Sequence, residues 1–234
     1  MTRSFTAAIY ALAIIGFFLV LAVLPAHSAP LTTKQAGDTL SGSVVEFLSG
    51  SRRVCTAFKI SSRQFMTAKH CVTQVNREYK IDFNNRMSFV RSILVSGVDK
   101  EDWAVANVAT SNDKIKSLSL GCNDELYLGM PVAYAGYPSP LELTMGLGAV
   151  TSVTPVKPSR SNADFMIDVA AAPGASGSPV ISLDTGNVIG ILTEGIRNRK
   201  TGFFMVGIES IKSTAQCDDV VKPEVAPPEY VGPF

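Results

Sequence analysis

Val44-Val-Glu-Phe-Leu-Ser-Gly-Ser-Arg-Arg-Val-Cys-Thr-Ala-Phe-Lys-Ile60 holds two strand-sized apolar runs, Val44 to Leu48 and Val54 to Ile60, around the turn signal Leu48-Ser-Gly-Ser51. β-Branched and aromatic residues in short runs broken by Gly and Ser argue for a hairpin rather than a helix. The texture continues outward. Gln64 to Ala68, Lys80 to Phe83 and Ser88 to Val95 follow, with Asn84-Asn85 as a further turn. After them come Trp103 to Val108, Val132 to Ala135, Gly146 to Val153, Phe165 to Val169, Pro179 to Ser182, Asn187 to Leu192 and Phe203 to Ile208. A polar lead-in precedes Val44, and no long amphipathic helix is expected between the strands. The pattern predicts an all-β sandwich or barrel. Ser111 to Asp124 is polar, contains Gly121, and is the candidate crossing between two halves. Ile208 to Ala215 could close the chain as a short helix, and Pro223, Pro227, Pro228 and Pro233 argue against a stable tail structure.

The N-terminus reads as a leader. Arg3 is followed by an apolar run from Ala11 to Leu24, then by Pro25 and small residues. A run of about fourteen residues is shorter than the roughly twenty of a spanning helix, so removal is expected rather than anchoring. A cut after Ser28, with Ala26 three positions before the bond, predicts a mature start near Ala29. The full chain carries 21 Lys+Arg and 20 Asp+Glu, so losing Arg3 leaves the mature protein near neutral. Such a balance argues against nucleic acid as a partner. The remaining length, about 206 residues, suffices for one all-β domain or two small ones. Cys55, Cys71, Cys122 and Cys217 all lie in the exported part, where an even count fits two disulfides. Zinc is disfavoured because no close C-x-x-C pair exists and His70 is the only mature histidine.

Three segments carry chemistry: Thr67-Ala-Lys-His-Cys71, then Asp102-Trp-Ala-Val105, then Pro173-Gly-Ala-Ser-Gly-Ser-Pro179. A serine hydroxyl is a poor nucleophile until a neighbouring base takes its proton, and His70 is the one mature histidine that could be that base. Asp102 heads an apolar strand, with Asp99 and Glu101 close enough to be alternatives. Ser176 sits between glycines that permit a tight turn, and Ser178 is the nearby competitor.

In this order the segments resemble the histidine, aspartate and serine motifs of the chymotrypsin-like serine proteases, over roughly Gly42 to Ile211. The resemblance implies two six-stranded antiparallel β-barrels with a short C-terminal helix. The implied organisation is a signal peptide at 1–28, a protease domain at 29–212 and a Pro-rich tail at 213–234. Barrel 1 would cover about 38–115 and barrel 2 about 122–210. His70, Asp102 and Ser176 would form the catalytic triad, and the N–H groups of Gly174 and Ser176 the oxyanion hole. Cys55 would pair with Cys71, leaving Cys122 for Cys217. No cofactor and no metal are implied. The expected product is a monomeric, secreted or periplasmic endopeptidase acting on peptide or protein substrates, with no stable membrane association once the leader is cut.

Departures from the family pattern are informative. In trypsin-like zymogens an aspartate before the nucleophile receives the new N-terminal ammonium; here Ala175 stands there, so that salt bridge cannot form. The G-x-S-G-S-P motif and Ala135-Gly-Tyr-Pro138 resemble the bacterial branch that includes glutamyl endopeptidases. The resemblance places the substrate pocket at Ala170, Ala171, Leu192, Thr193, Glu194, Gly195 and Gly202. Ala170 replaces the aspartate that selects Arg or Lys, and Leu192 the histidine that helps hold an acidic side chain. An apolar or small residue is therefore expected before the scissile bond, since a charge would be desolvated without a partner. Glu194, Arg197 or Arg199 reaching in would alter that expectation. Thr193 matches a family serine that hydrogen-bonds the catalytic aspartate, a role its hydroxyl could fill. Three rivals stand: a catalytically silent binding module, a tethered protease that keeps Ala11 to Leu24 as an anchor, and an esterase. The His-Asp-Ser order and the lack of alternating helices separate the chain from α/β-hydrolases.

Overall fold

Gly50, at φ +64°, lets the chain reverse between β1 (Val44–Ser49) and β2 (Arg52–Lys59), which pair antiparallel with Phe47 opposite Cys55. This hairpin begins a computed structural model that describes residues 29–72, 78–83, 86–95, 101–121, 126–154, 165–195 and 201–207. The first barrel is completed by β3 (Gln64–Thr67), β4 (Tyr79–Phe83), β5 (Arg86–Val95) and β6 (Ala104–Val108), closing in the order β1-β2-β3-β6-β5-β4. The second is built from β7 (Pro131–Gly136), β8 (Thr144–Ser152), β9 (Phe165–Ala170), β10 (Pro179–Ser182), β11 (Val188–Gly195) and β12 (Thr201–Gly207). It closes as β10-β11-β12-β9-β8-β7. Every strand named from the sequence is present, with ends shifted by at most three residues. The expected double barrel of six strands each is the observed fold.

Three apolar clusters hold it. Phe47, Phe65, Tyr79, Ile81 and Ala106 fill the first barrel, where Phe47 and Tyr79 stack with centroids 5.3 Å apart. Tyr134, Phe165, Ile167, Val180 and Ile189 fill the second. The third lies between them: Phe58, Met66, Trp103 and Val105 from one barrel meet Ala133, Ala135, Ile181 and Ile191 from the other. Burying each large side chain contributes about 1.5–3 kcal/mol, so the barrels are cemented along the seam on which the candidate site sits.

The polar lead-in is not irregular. Thr33–Ser41 forms helix α1, opened by a reciprocal capping box between Thr32 and Gln35. Only Ala36 and Leu40 are buried, at the four-residue spacing of one helix face, and both join the seam between the barrels. Two apolar residues give too faint a periodicity to detect, but Thr32-x-x-Gln35 ahead of them is a legible start signal. The closing helix at Ile208 to Ala215, the tail, the leader, Cys122, Cys217 and the Asn84-Asn85 turn lie outside the described residues.

The described part of the crossing segment is tied down from both sides. Lys116 N–H donates to Gly42 O at 2.8 Å and Leu118 N–H to Lys59 O at 2.9 Å, while Gly121 and Val188 bond across at 2.8 Å. Lys59 is buried, and its ammonium donates to the carbonyls of Asn112 and Ile115, each at 2.8 Å. Burial holds this amine below its ordinary value, and Asp113 nearby pulls the other way. Lys59→Met keeps the stem and leaves the Ile115 carbonyl without its donor, an orphan costing about 1–3 kcal/mol, while Asn112 O keeps the N–H of Ile115 at 3.2 Å. Its urea unfolding free energy is expected to fall by about 2 kcal/mol at an unchanged slope; equal midpoints for the two proteins would overturn the account.

Candidate active site

His70 sits in a single 3₁₀ turn, Lys69–Cys71, that leaves the end of β3. A disulfide between Cys55 and Cys71, 6.0 Å apart at Cα, binds that turn to β2. This is the first of the two expected pairings. β3 pairs with β6 so that Thr67 faces Ala104, which sets Asp102 beside the turn. Both oxygens of Asp102 are then used by one residue. Oδ1 accepts the backbone N–H of His70 at 2.8 Å and Oδ2 meets its Nδ1 at 2.6 Å. The aspartate is 8% exposed, next to buried Trp103, whereas the imidazole side chain is 47% exposed toward the cleft. Glu101, one of the alternative acids, accepts from Trp103 Nε1 at 3.1 Å, and Asp99 lies outside the described residues.

Ser176 lies between β9 and β10 in a loop that only glycine permits at two points. Gly174 has φ +100° and Gly177 has φ +86°, a region costly for residues with a Cβ. A Cβ on Gly177 would also lie 2.1 Å from Thr56 O. The loop is closed by Ala175 N–H to Ala172 O and Ser178 N–H to Ala175 O, both 3.0 Å, and by Gly177 N–H to Leu192 O at 2.7 Å. Among the described residues no protein acceptor takes the N–H of Gly174 or of Ser176. Ser139 N–H holds Pro173 O at 2.7 Å. Because a trans peptide points its N–H opposite its C=O, the Gly174 N–H is turned away from Ser139.

His70, Gly174 and Ser176 line one open cavity of about 320 Å³ with Ser49, Val54, Pro173 and the disulfide. The Ser176 hydroxyl is turned to the Thr193 carbonyl, 3.1 Å away. Ser178, the competing serine, is wholly buried with its hydroxyl unpaired, so it offers nothing to the cleft. Cys55, His70 and Cys71 are near enough to share an ion, but the two sulfurs are joined to each other and provide no thiolate.

The expected substrate pocket is brought together at backbone level. β12 runs between β9 and β11, pairing Thr201 with Ala170 and Phe203 with Gly195, so Gly202 falls between those walls. Ala170 and Gly195 are exposed, and Ala171 and Glu194 half-buried. Leu192 differs from expectation: its side chain is 2% exposed within the second barrel core. Strand alternation turns it inward, and what it presents to the nucleophile loop is its carbonyl on Gly177 N–H. Thr193 likewise contributes a carbonyl, to Ser176.

Two residues that sequence reasoning did not single out close around the loop. Thr56, directly after Cys55, bonds Gly174, Ser176 and Tyr137. Tyr137 is a buried wall residue whose phenol is pushed up to about 12, chiefly by burial and then by Glu46, Glu142 and Asp82, against the pull of Arg53. No motif marks Thr56, since a strand threonine is common, and Tyr137 stands in Ala135-Gly-Tyr-Pro138 only as a family marker, with no role in the site attached to it.

Residues 55–191 match the profile of the trypsin-like peptidase domain. The "Probable periplasmic serine endoprotease DegP-like" of Halomonas elongata is 30% identical over 153 residues, 65% of this chain and 31% of that protein. The "Serine protease HtrA-like" of Staphylococcus aureus is 30% identical over 129 residues, 50% of this chain and 16% of that one. The chain thus spans less than a third of the length of these curated relatives. Among solved structures, the Rv3671c protease from M. tuberculosis in its active form overlays with a TM-score of 0.66 at 18% identity, covering 85% of this chain and 91% of that one. A serine-to-alanine variant of the HtrA-type protease AlgW with tripeptide overlays at a TM-score of 0.66 and 17% identity, covering 82% of this chain and 64% of that one. These structures share the fold. The relatives are of the HtrA and DegP kind, and the glutamyl-endopeptidase branch rests on the sequence motifs alone.

Proposed function

The chain belongs to the trypsin-like peptidase family, and from that premise we propose that it is an exported serine endopeptidase that cleaves peptide or protein substrates through an acyl-enzyme. The observation that carries this reading is the pair of hydrogen bonds that Asp102 accepts from His70, at 2.8 and 2.6 Å, on a cleft that also holds Ser176. An aspartate accepting Nδ1–H leaves Nε2 as the basic nitrogen, aimed outward from the buried pair.

In the proposed reaction Ser176 Oγ leaves the Thr193 carbonyl, gives its proton to His70 Nε2 and attacks the scissile carbonyl carbon. The oxyanion is received by the free N–H groups of Gly174 and Ser176. Collapse breaks the C–N bond as His70 returns the proton to the departing amine, leaving an ester on Ser176. Water, deprotonated by the same histidine, then hydrolyses that ester. The resting bond from Ser176 to Thr193 favours a second reading, a silent binding module, because the hydroxyl is not on the base. Catalytic hydrogen bonds in unliganded enzymes commonly form or tighten only with substrate, which favours the peptidase reading.

The pocket is proposed to take a small or apolar side chain before the scissile bond, since Ala170 provides no countercharge. Export and cleavage after Ser28 remain part of the same reading, supported by the leader pattern and by the periplasmic label of the Halomonas elongata relative. So does action as a monomer.

The test is intact-mass analysis after a fluorophosphonate probe, on the wild type, Ser176→Ala and His70→Ala, followed by peptide-library profiling of the wild type. One adduct on the wild type and none on either variant is expected, with small or apolar residues enriched before the cut. A folded wild type that takes no probe sinks the peptidase reading, and dominant selection for Arg, Lys or Glu sinks the pocket assignment.

A further inference from the structure

Thr56 is wholly buried in β2, yet each of its polar atoms is committed to a partner. Its N–H donates to Ser176 O at 2.9 Å, and its carbonyl accepts the Thr67 hydroxyl at 2.7 Å. Its hydroxyl donates to Gly174 O and accepts the N–H of Tyr137, both at 2.9 Å. One residue of the first barrel therefore grips three points of the second. Two glycines make room for that approach. A Cβ on Gly136 would lie 3.0 Å from Thr56 Oγ1, and one on Gly177 would lie 2.1 Å from Thr56 O.

The bonds of Thr56 fall on the peptide planes next to those that carry the two free N–H groups: Gly174 O shares its plane with Ala175 N–H, and Ser176 O with Gly177 N–H, so the two bracket the plane of the Ser176 N–H. Gly174 is one of the two glycines of the loop, whose backbones turn most freely, and the planes on its two sides are each anchored: Pro173 O by Ser139 N–H and Gly174 O by Thr56 Oγ1. The plane after Ser176 is anchored by Thr56 N–H. The alanine before the nucleophile, Ala175, is 1% exposed in the second barrel core, where it can make no ion pair.

We propose that Thr56 is the positioning residue of the oxyanion loop: its hydroxyl bridge from Tyr137 to Gly174, reaching across from the first barrel, holds the Gly174 and Ser176 N–H groups in their receiving geometry. It thereby supplies a restraint on the loop in a chain whose pre-nucleophile residue, Ala175, can form no ion pair. This rests on the serine peptidase reading above. A hydroxyl is one of the few small groups that can donate and accept at once. Valine has the same shape and can do neither, so Thr56→Val removes the partner of Gly174 O and of the buried Tyr137 N–H and frees the plane between Gly174 and Ala175 to turn.

The experiment compares the full exported chain as wild type, Thr56→Val and Thr56→Ser. It measures kcat and KM on a peptide substrate, the pH profile of kcat/KM, and the affinity of a peptide aldehyde, whose hemiacetal oxygen mimics the oxyanion. Losing a whole oxyanion donor costs on the order of 10²–10³ in kcat, and a donor left in place but loosened should cost less. Thr56→Val is expected to lower kcat by about 10- to 100-fold with KM within about twofold, and aldehyde affinity by a similar factor. The pH profile set by His70 should not move, and Thr56→Ser should recover most of kcat. Unchanged kcat in Thr56→Val overturns the proposal. So does a parallel loss in KM and in aldehyde affinity that serine does not rescue, which is the mark of general destabilisation. If the valine variant does not fold, Thr56→Ala, read against Thr56→Ser, decides in the same way. A wild type that neither takes the fluorophosphonate nor cleaves peptides overturns the peptidase reading itself, whereas an active wild type matched by Thr56→Val overturns only the role of Thr56.

Discussion

Ser176→Ala is expected to lower kcat on a peptide substrate by on the order of 10⁶-fold while the protein remains folded. The size of the loss follows from the chemistry. Without the hydroxyl there is no covalent intermediate, and the remaining groups can only polarise the carbonyl for attack by water. The tolerance of the fold follows from the structure. Ser176 Oγ makes one hydrogen bond, to Thr193 O, worth about 1 kcal/mol net. The loop itself is held by main-chain bonds of Ala175, Gly177 and Ser178 and by Thr56 on Ser176 O, none of which the substitution touches. Steady-state kinetics beside a thermal melt checks both parts. A variant that melts with the wild type but keeps more than about a hundredth of its kcat would place the nucleophile elsewhere.

The second large effect is expected at Asp102→Asn, about 10⁴-fold in kcat at neutral pH, and the hydrogen-bond pattern says why an isosteric change is so damaging. The carboxylate accepts twice from His70, at its backbone N–H and at Nδ1. An asparagine has one accepting oxygen and one donating nitrogen. The backbone N–H can only donate, so the amide oxygen must stay with it and the NH₂ must face Nδ1. Nδ1 then has to accept, which puts the ring proton on Nε2 and removes the base. Packing around the buried site should change little, because asparagine has the same shape. A kcat within tenfold of wild type, at equal stability, would mean that Asp102 orients His70 without selecting its tautomer.

Strand texture was readable because its cause is local. Runs such as Val44 to Leu48 and Pro179 to Ser182 are short, β-branched or aromatic and bounded by turn residues, and the chain pairs them within the barrels they belong to. His70, Asp102 and Ser176 were readable because each sits in a short segment with a characteristic neighbour: Cys71, Ala104 and Gly177. Helix α1 escaped because its buried face is two residues wide. The side chain of Leu192 escaped as well. The resemblance located its segment beside the pocket, but strand alternation then sends the side chain into the barrel.

By itself the sequence determined the strand set, the apolar run near the N-terminus, the candidate histidine, aspartate and serine and the uncharged residues at Ala170 and Ala175, all properties of residue type and of neighbours a few positions apart. Only the tertiary structure decided that Asp102 spends both oxygens on His70, that Ser176 rests on Thr193, and that Thr56 spans the barrels to Gly174, 118 residues away in sequence. The physical reason is range. A hydrogen bond is made or lost over a few tenths of an ångström, and these distances are set by how each barrel closes, for the first two contacts, and by how the two barrels pack along a shared apolar seam, for the third, neither of which a local pattern of residues encodes.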